Sequence, residues 1–158
     1  MEAHMSTAFA HPRLLSIVVL LALTISAGGA DPPAVEWQTD YQLAHKSRLQ
    51  RQKPMIVYIT MDGCLHCNRM LKTSYKNQQV AGKISDGYVA TIINGTHQED
   101  LAKQFGVRIY PTTFLVGPDN RIVDKMEGYV AAKELHRRLN VVSHYYSQLA
   151  RTKGAEAR

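Results

Sequence analysis

The sequence predicts an α/β fold in which a central mixed β-sheet is flanked by helices. Residues 55–60 form a continuous apolar run without alternation, which is typical of a strand buried on both faces in the middle of a sheet. A helical pattern that carries both cysteines of the chain follows this run directly. Near the end, two short strand patterns are joined by a turn at residues 117–120, which indicates an antiparallel hairpin. Parallel pairing followed by a hairpin predicts the mixed sheet.

The chain has the size and composition of one globular domain. It contains 158 residues, 45% of them apolar and 8% aromatic, which is enough for a hydrophobic core and argues against a disordered chain. The formal net charge is +6, but the basic residues are not interleaved with aromatic residues and match no nucleic-acid motif. We therefore predict no nucleic-acid partner and assign the basic residues to the solvated surface. They include Lys46, Arg48, Arg51, Lys53, Arg137, Arg138, Arg151 and Lys153.

The N-terminal segment is predicted to form a secretory signal peptide. His11 and Arg13 give a weakly basic start, residues 14–26 form an apolar run, and residues 27–30 are small. The apolar run is short for a membrane span, and an uncleaved anchor is the alternative. We expect cleavage before Asp31 and a periplasmic or secreted protein without stable membrane insertion. The predicted organisation is a signal peptide over residues 1–30, a domain over residues 31–150 and a flexible basic tail over residues 151–158.

Residues 41–52 predict the first helix of the domain. Residues 35–37 precede it as a short edge strand or an apolar anchor, and Thr39 or Asp40 is suited to cap its N-terminus. Lys53-Pro54 ends it. The side chains predicted to face inward are Leu43, Ala44 and Leu49.

The remaining elements alternate between helix and strand until the hairpin. This order requires a right-handed crossover between the two parallel strands. Gly87, Gly106 and Gly128 mark breaks between elements. In chain order we predict a helix over 64–75, a helical segment over 80–87, a strand over 88–93, a helix over 99–105, strands over 113–116 and 121–126, and a helix over 131–151.

The last predicted helix is longer than a small sheet needs. Apolar residues recur along it at alternating spacings of four and three, which gives a stripe along its whole length. We expect its second half, from about Val142, to overhang and to bury the stripe against the first helix, a partner subunit or a client protein. The alternative is a helix packed wholly on its own domain. The residues of the stripe are Leu135, Leu139, Val142, Tyr146 and Leu149.

Both cysteines lie in the stretch Cys64-Leu65-His66-Cys67, where the buried strand gives way to a helix. The N-terminus of a helix carries partial positive charge, which stabilises a thiolate and lowers its pKa below about 8.5. We therefore assign Cys64 as the attacking thiol. Cys67 lies three residues later on the same helical face, where it can close the ring or release a mixed disulfide.

Other uses of a Cys-x-x-Cys pair match this sequence less well. A zinc site needs two further Cys or His ligands at clustered spacing, and the chain has no second cysteine pair. Attachment of a c-type haem needs His directly after the second Cys, where this chain has Asn68. A structural disulfide stays open, although so small a ring constrains little entropy of the unfolded chain.

Two distant features together resemble the thioredoxin family. The cysteine pair follows the first buried strand, and Tyr110-Pro111-Thr112 precedes the later hairpin. Residues 105–108 before that proline and Gly128 before the last helix also match. The resemblance implies a thioredoxin fold in which Pro111 is cis and faces the cysteine pair. It also implies that the backbone of Tyr110 pairs with the substrate.

The sequence departs from the family pattern close to the cysteines. The family has Trp before the first Cys and Gly-Pro between the two, where this chain has Gly63 and Leu65-His66. A buried Asp on the central strand and its Lys partner are replaced by Tyr58 and Thr91. General-base help for Cys67 must therefore come from water, from a substrate group or from elsewhere. The chain is more similar to exported thioredoxin-like proteins that serve disulfide exchange or cytochrome maturation.

His66 is predicted to modulate the cysteine pair. An imidazolium beside the Cys64 thiolate would favour the reduced form and make the disulfide more oxidising. A solvent-facing helix residue is the alternative interpretation. Arg69 and Arg108 are weaker candidates for the same effect, because exposed charges are screened.

We predict an exported thiol–disulfide oxidoreductase that acts on protein substrates bearing thiols or disulfides and on a redox partner protein. Cys64 and Cys67 carry the exchange, while Tyr110 and Pro111 contact the substrate. This chemistry needs no cofactor and no metal.

Two other interpretations stay open. Cys64 and Cys67, with His66 or Met61, would suit Cu(I), because soft thiolate and thioether ligands select that ion. The absence of a second metal-binding cluster from the sequence argues against such a Cu(I) carrier. A thioredoxin-like adaptor with little turnover is the third possibility.

Overall fold

The computed structural model describes residues 34–156, with the side chains described up to residue 152. The predicted signal peptide and cleavage site lie outside these residues. Among the described residues, no helix combines the length and the apolarity that crossing a bilayer requires. In chain order the elements are α1 (Tyr41–Arg51), β1 (Met55–Thr60), α2 (Leu65–Lys72), α3 (Gln78–Gly87), β2 (Val89–Asn94), α4 (Glu99–Gln104), β3 (Thr112–Val116), β4 (Ile122–Glu127) and α5 (Ala132–Glu156).

The four strands form one mixed sheet, as the sequence predicted, and their order in it is β2-β1-β3-β4. β1 pairs parallel with β2 and antiparallel with β3, and β3 pairs antiparallel with β4. β1 therefore lies inside the sheet, and the side chains of residues 55–59 have no exposed surface. This explains why its sequence is apolar without alternation.

Helices cover both faces of the sheet, so that the core has two layers. One layer joins the sheet to α1 and α4 and includes Ala44, Val57, Ala102 and Phe114. The other joins the sheet to α2, α3 and α5. Its buried side chains include Tyr58, Cys67, Met70, Tyr75, Val80, Ile84, Leu115, Leu135 and Leu139.

The inward face of α1 differs from the prediction. Ala44 is buried as expected, but Leu43 and Leu49 are 61% and 49% exposed, and Arg48 is fully buried in their place. The prediction that Arg48 belongs to the solvated surface is therefore wrong. Its guanidinium donates to the Gly117 carbonyl at 2.9 Å and to Asn120 Oδ1 at 2.6 Å, both on the turn between β3 and β4. These acceptors compensate the burial of the charge.

Several element boundaries also differ from the prediction. Asp40 caps α1 by accepting from Leu43 N. α2 ends at Lys72 rather than near Tyr75, because Tyr75 turns into the core and its hydroxyl bonds to Thr113 Oγ1. Residues 35–37 form no strand, and only the neighbouring Gln38 makes an isolated bridge to β2. α5 continues to Glu156, so it includes residues that were assigned to the flexible tail.

The apolar stripe of α5 packs on its own domain over a longer part of the helix than the sequence predicted. Leu135 and Leu139 are fully buried, and Val142 is nearly so. Tyr146 donates its hydroxyl to Asp119 Oδ1 at 3.0 Å, which ties this part of α5 to the hairpin turn. Leu149 is 37% exposed and lines an open cavity of about 480 Å³ together with Leu49 of α1. The overhang therefore begins after Tyr146 rather than at Val142.

We expect Arg48→Ala to lower the free energy of unfolding by about 2–4 kcal/mol. The substitution removes one of the two donors to the buried Gly117 carbonyl, which then keeps only Asn120 N at 3.0 Å, and it opens a cavity beneath α1. Arg51→Ala, the same change at an exposed site on the same helix, should cost about 0.5 kcal/mol or less. Urea unfolding of both variants is the measurement, and equal losses would show that the Arg48 contacts do not stabilise the fold.

Candidate active site

The cysteine pair lies where the chain leaves β1 and enters α2. Cys64 is the N-cap of α2, and its Sγ accepts a hydrogen bond from Cys67 N at 3.1 Å. A disulfide joins the two cysteines, whose Cα atoms are 5.2 Å apart. Cys64 is half-buried, whereas Cys67 has no exposed surface. The outer sulfur therefore lies at the positive end of the helix dipole, and the inner one is shielded by the core.

The loop before Cys64 depends on a glycine. Gly63 has a φ of 67°, which lies in the left-handed region that other residues adopt only at a cost. The resemblance to the family implies Trp at this position, where this chain has Gly63. On the helix side, Leu65 is 77% exposed and His66 is also exposed. The surface next to Cys64 is therefore open to solvent on the side of Leu65 and His66.

Aromatic rings fill the space behind the disulfide. Tyr58 is fully buried and donates its hydroxyl to the Cys67 carbonyl at 3.0 Å. The ring of Tyr75 lies edge-on to Tyr58 and to Trp37, with centroids 4.9 Å apart in both pairs. Burial raises the pKa of Tyr58 and of Tyr75, so both phenols stay neutral at ordinary pH.

The two family positions that hold a buried ion pair are therefore neutral in this chain. Thr91, the second of them, is buried and donates its hydroxyl to the Gln38 carbonyl at 2.8 Å. The hydroxyl of Tyr58 is committed to Cys67. Among the described residues, no Asp or Glu is buried. This agrees with the expectation that no buried carboxylate serves as a base for Cys67.

The Tyr110-Pro111 loop lies next to the end of β1. Ile59 of β1 pairs with Thr112 of β3, which brings Pro111 beside the segment that leads to Cys64. The Tyr110–Pro111 peptide bond is cis, and the Pro111 carbonyl accepts from Gly128 N at 2.7 Å. The cysteine pair and Tyr110-Pro111-Thr112, the two distant features of the resemblance, thus both lie at the C-terminal end of β1. The roles of these residues toward a substrate stay a prediction.

An aromatic–cation contact near the cysteines was not found from the sequence. The Arg69 guanidinium lies over the ring of Tyr129, 4.4 Å from its centroid. Hydrogen bonds with Thr73 and Ser74, together with the Arg69 charge, lower the pKa of Tyr129. Arg69 is thus held against a ring of the loop before α5. Because this contact joins residues far apart in the chain, no local sequence pattern predicts it.

The structure adds no metal cluster to the cysteine pair. Within residues 34–156, no group of three or more His, Cys, Asp or Glu side chains is placed to hold an ion. Met61, which a Cu(I) site would use, is 42% exposed, whereas Met70 is buried in the core. In this state both sulfurs are bonded to each other.

Comparison with known proteins agrees with this site and fold. A sequence model of the thioredoxin-like domain matches residues 41–143. Comparison with curated protein sequences gives no match. Among solved structures, a thioredoxin from Thermus thermophilus superposes with a TM-score of 0.63 at 18% identity, covering 69% of this chain and 87% of that one.

Two further solved structures are similar to about the same degree. DsbH oxidoreductase gives a TM-score of 0.60 at 14% identity over 71% of this chain and 87% of its own. The oxidised C-terminal domain of DsbD from Neisseria meningitidis gives 0.58 at 19% identity over 68% of this chain and 99% of its own. At these identities the similarity defines the fold alone.

The fold and the cysteine pair define a thioredoxin-like protein with a redox-capable disulfide. This chain belongs to the thioredoxin-like domain family, whose sequence model covers most of the described residues. A thioredoxin-like fold with a disulfide-forming cysteine pair supports thiol–disulfide oxidoreductase activity in general.

We expect Tyr58→Phe to lower the free energy of unfolding by about 1 kcal/mol, because it removes the hydroxyl that donates to the Cys67 carbonyl and leaves the ring stacking intact. Tyr145→Phe makes the same change at a ring that is 56% exposed and should have no measurable effect. Urea unfolding of the oxidised proteins is the measurement. A Tyr58→Phe variant as stable as the wild type would show that this hydrogen bond contributes nothing.

Proposed function

We propose that this protein is an exported thiol–disulfide oxidoreductase that exchanges disulfides with protein substrates through Cys64 and Cys67. The observation that carries the proposal is the unequal environment of the two sulfurs. Cys64 is partly accessible at the helix N-terminus, while Cys67 is buried within bonding distance of it. A purely structural staple would need neither accessibility nor the helix dipole at one of its ends.

The exchange follows from this arrangement when the pair is reduced. The Cys64 thiolate attacks one sulfur of a substrate disulfide, forms a mixed disulfide and releases the first substrate thiolate. The Cys67 thiolate then attacks Cys64 Sγ, which closes the ring and releases the second substrate thiolate. The substrate disulfide gains two electrons and becomes a dithiol, and the protein is left in the oxidised state that the structure describes. The same steps in reverse oxidise a substrate dithiol.

Proton transfer at Cys67 needs a partner outside the core. Tyr58 stays neutral and is bonded to the Cys67 carbonyl, so it accepts no proton from the thiol. Water or the departing substrate thiolate is the remaining acceptor. The resolving step is therefore tied to the chemistry of the substrate.

The substrate class follows from the open surface around Cys64. The exposed Leu65 and Ile109 offer apolar contacts, and the Tyr110-Pro111 loop offers backbone groups beside the cysteine pair. A polypeptide substrate fits such a surface, because backbone pairing gives affinity without demanding one sequence. A redox partner protein would use the same surface to restore the pair.

Export is the second part of the proposal and is supported by residues 1–30. Their weakly basic start, apolar run and small residues are typical of a secretory leader. Outside the cytoplasm, disulfides persist and an exchanging protein has substrates. Edman sequencing of the protein secreted by its native organism should give Asp31 as the first residue. An N-terminus at Met1 on a membrane-bound protein would contradict cleavage, and the same N-terminus on protein recovered from the cytoplasm would contradict export.

We expect iodoacetamide at mildly acidic pH to label Cys64 before Cys67 in the reduced protein, because only Cys64 is both accessible and placed at the helix N-terminus. Peptide mapping of the alkylated protein is the measurement. In the same way, Cys67→Ser should accumulate mixed disulfides through Cys64, with Cys64→Ser as the matched control that traps none. Faster labelling of Cys67, or no trapped partner, would contradict the assigned roles.

We expect His66→Gln to make the Cys64–Cys67 couple more reducing by about 30 mV, which corresponds to about 1.4 kcal/mol, because glutamine cannot carry the positive charge with which an imidazolium favours the thiolate. His144→Gln, the same change on the exposed surface of α5, should leave the potential unchanged. Equilibration with glutathione buffers gives both values. A potential unaffected by His66→Gln would assign His66 to the solvated surface.

A further inference from the structure

Residues 94–97, which begin with the last residue of β2 and are here called the support loop, contact the loop that carries Cys64. Asn94 Nδ2 donates to Asp62 Oδ1 at 2.7 Å, and Asp62 N donates to Thr96 Oγ1 at 3.0 Å. His97 Nε2 lies 3.1 Å from Asp62 Oδ2. Both the backbone and the carboxylate of Asp62, two residues before Cys64, are therefore held by the support loop.

The same loop contacts the side chain of Tyr110. Gly95 is buried, and a Cβ built on it would lie 2.6 Å from Tyr110 Oη and 3.0 and 3.1 Å from two ring carbons. The Tyr110 ring therefore rests directly on the Gly95 backbone. Since φ at Gly95 is not positive, the glycine is needed for space rather than for backbone conformation.

The support loop itself is fixed to the central strand. Gly95 N donates to the Thr60 carbonyl at 2.7 Å, at the end of β1. Asn94 Oδ1 accepts from Thr96 N at 3.0 Å, which closes the turn. The contacts of Asp62 with the loop are largely exposed, and exposed ion pairs contribute little to folding stability. Their consequence is therefore the position of the Cys64 loop rather than the stability of the domain.

We propose that the support loop is a positioning element for disulfide exchange, which sets the spacing between the Cys64 loop and the Tyr110-Pro111 loop. Asp62 is the positioning residue on one side, and Gly95 is the positioning residue on the other. A substrate held by the backbone of Tyr110 must present its disulfide in line with Cys64 Sγ. The inference rests on the proposed function, because it concerns the geometry of that reaction.

The support loop also gives the sequence Asn94-Gly95-Thr96 a structural role. This triplet fits the pattern for N-glycosylation. Asn94 Nδ2 is bonded to Asp62, and Asn94 is half-buried. A glycan on that nitrogen would displace Asp62, so Asn94 is expected to carry none in the active protein.

The test is the rate of exchange with a fluorogenic peptide that contains one disulfide. Gly95→Ala forces the Tyr110 ring away from the support loop and should lower kcat/KM by about tenfold, because small displacements of reacting groups have large effects on rate. Gly87→Ala is the matched control, since a Cβ there meets nothing within 4 Å, and it should match the wild type. A Gly95→Ala variant with wild-type kcat/KM would overturn the proposal.

A second substitution separates positioning from general damage. In a Tyr110→Phe background the closest contact, the one with Oη, is absent, so Gly95→Ala should lower kcat/KM by only about twofold to threefold. At the contact of the support loop with the Cys64 loop, Asp62→Ala should lower kcat/KM. Asp62→Asn keeps an acceptor for Asn94 Nδ2 and should retain most of the wild-type kcat/KM. Equal effects of Gly95→Ala in both backgrounds, or of Ala and Asn at position 62, would refute the proposal.

Two further measurements distinguish this inference from the proposed function. Reduction of the Cys64–Cys67 disulfide by dithiothreitol needs no peptide-binding loop, so its rate should change less than about twofold in all variants. A wild-type protein that reduces no peptide disulfide would refute the proposed function. The positioning inference would then be decided by amide chemical shifts, and it fails if Gly95→Ala leaves the amide resonances of residues 62–64, Tyr110 and Thr112 unchanged.

Discussion

The burial of β1 on both faces is the constraint on which the rest of the structure depends. Residues 55–59 have no exposed surface, and the strand pairs with a neighbour on each side. Its C-terminal end therefore has one position relative to the sheet. Cys64 follows that end, Pro111 lies beside it through the pairing of Ile59 with Thr112, and Gly95 bonds to its last residue. The positions of the three loops of the candidate site are thus all fixed by one rigid strand.

The interior behind the disulfide contains no charged side chain at the two positions where the family arrangement implies an ion pair. Its polar groups are therefore stabilised by hydrogen bonds alone. The family arrangement implies an ion pair, whose burial carries a desolvation penalty. Here Tyr58 and Thr91 each donate one hydrogen bond to a backbone carbonyl. Their apolar parts pack in the core, and Trp37 and Tyr75 complete an aromatic cluster. Polar groups are satisfied without a buried charge, and proton transfer is left to the surface.

Local patterns in the sequence were sufficient for the sheet and for the cysteine pair. The strand at residues 55–60 was predicted with its observed bounds, because a strand buried on both faces needs apolar side chains throughout. Cys64 was placed correctly at the start of a helix for a similar reason, since the change of periodicity occurs there. The fold followed from the order of elements and two distant motifs, and the matching family and the sheet confirm it.

The parts that the sequence did not reveal depend on contacts between distant residues. Arg48 appeared to be a surface residue, because its acceptor Gly117 is 69 positions away. The exposed Leu43 and Leu49 show the reverse error, in which apolar character was taken for burial. Likewise, the need for Gly95 becomes visible only when Tyr110 lies on it. Periodicity describes an element and its face, whereas these contacts join separate elements.

The turn between β3 and β4 is held from both layers of the molecule. Arg48 of α1 reaches it from one side of the sheet, and Tyr146 of α5 reaches Asp119 from the other. Exposed hairpin turns are usually the places where a domain accepts an inserted segment or new termini. In this protein an insertion at residues 117–120 would disturb contacts with two helices at once. Although this turn is at the surface, it connects the helices on the two faces of the sheet. Engineered insertions should therefore be placed at other loops.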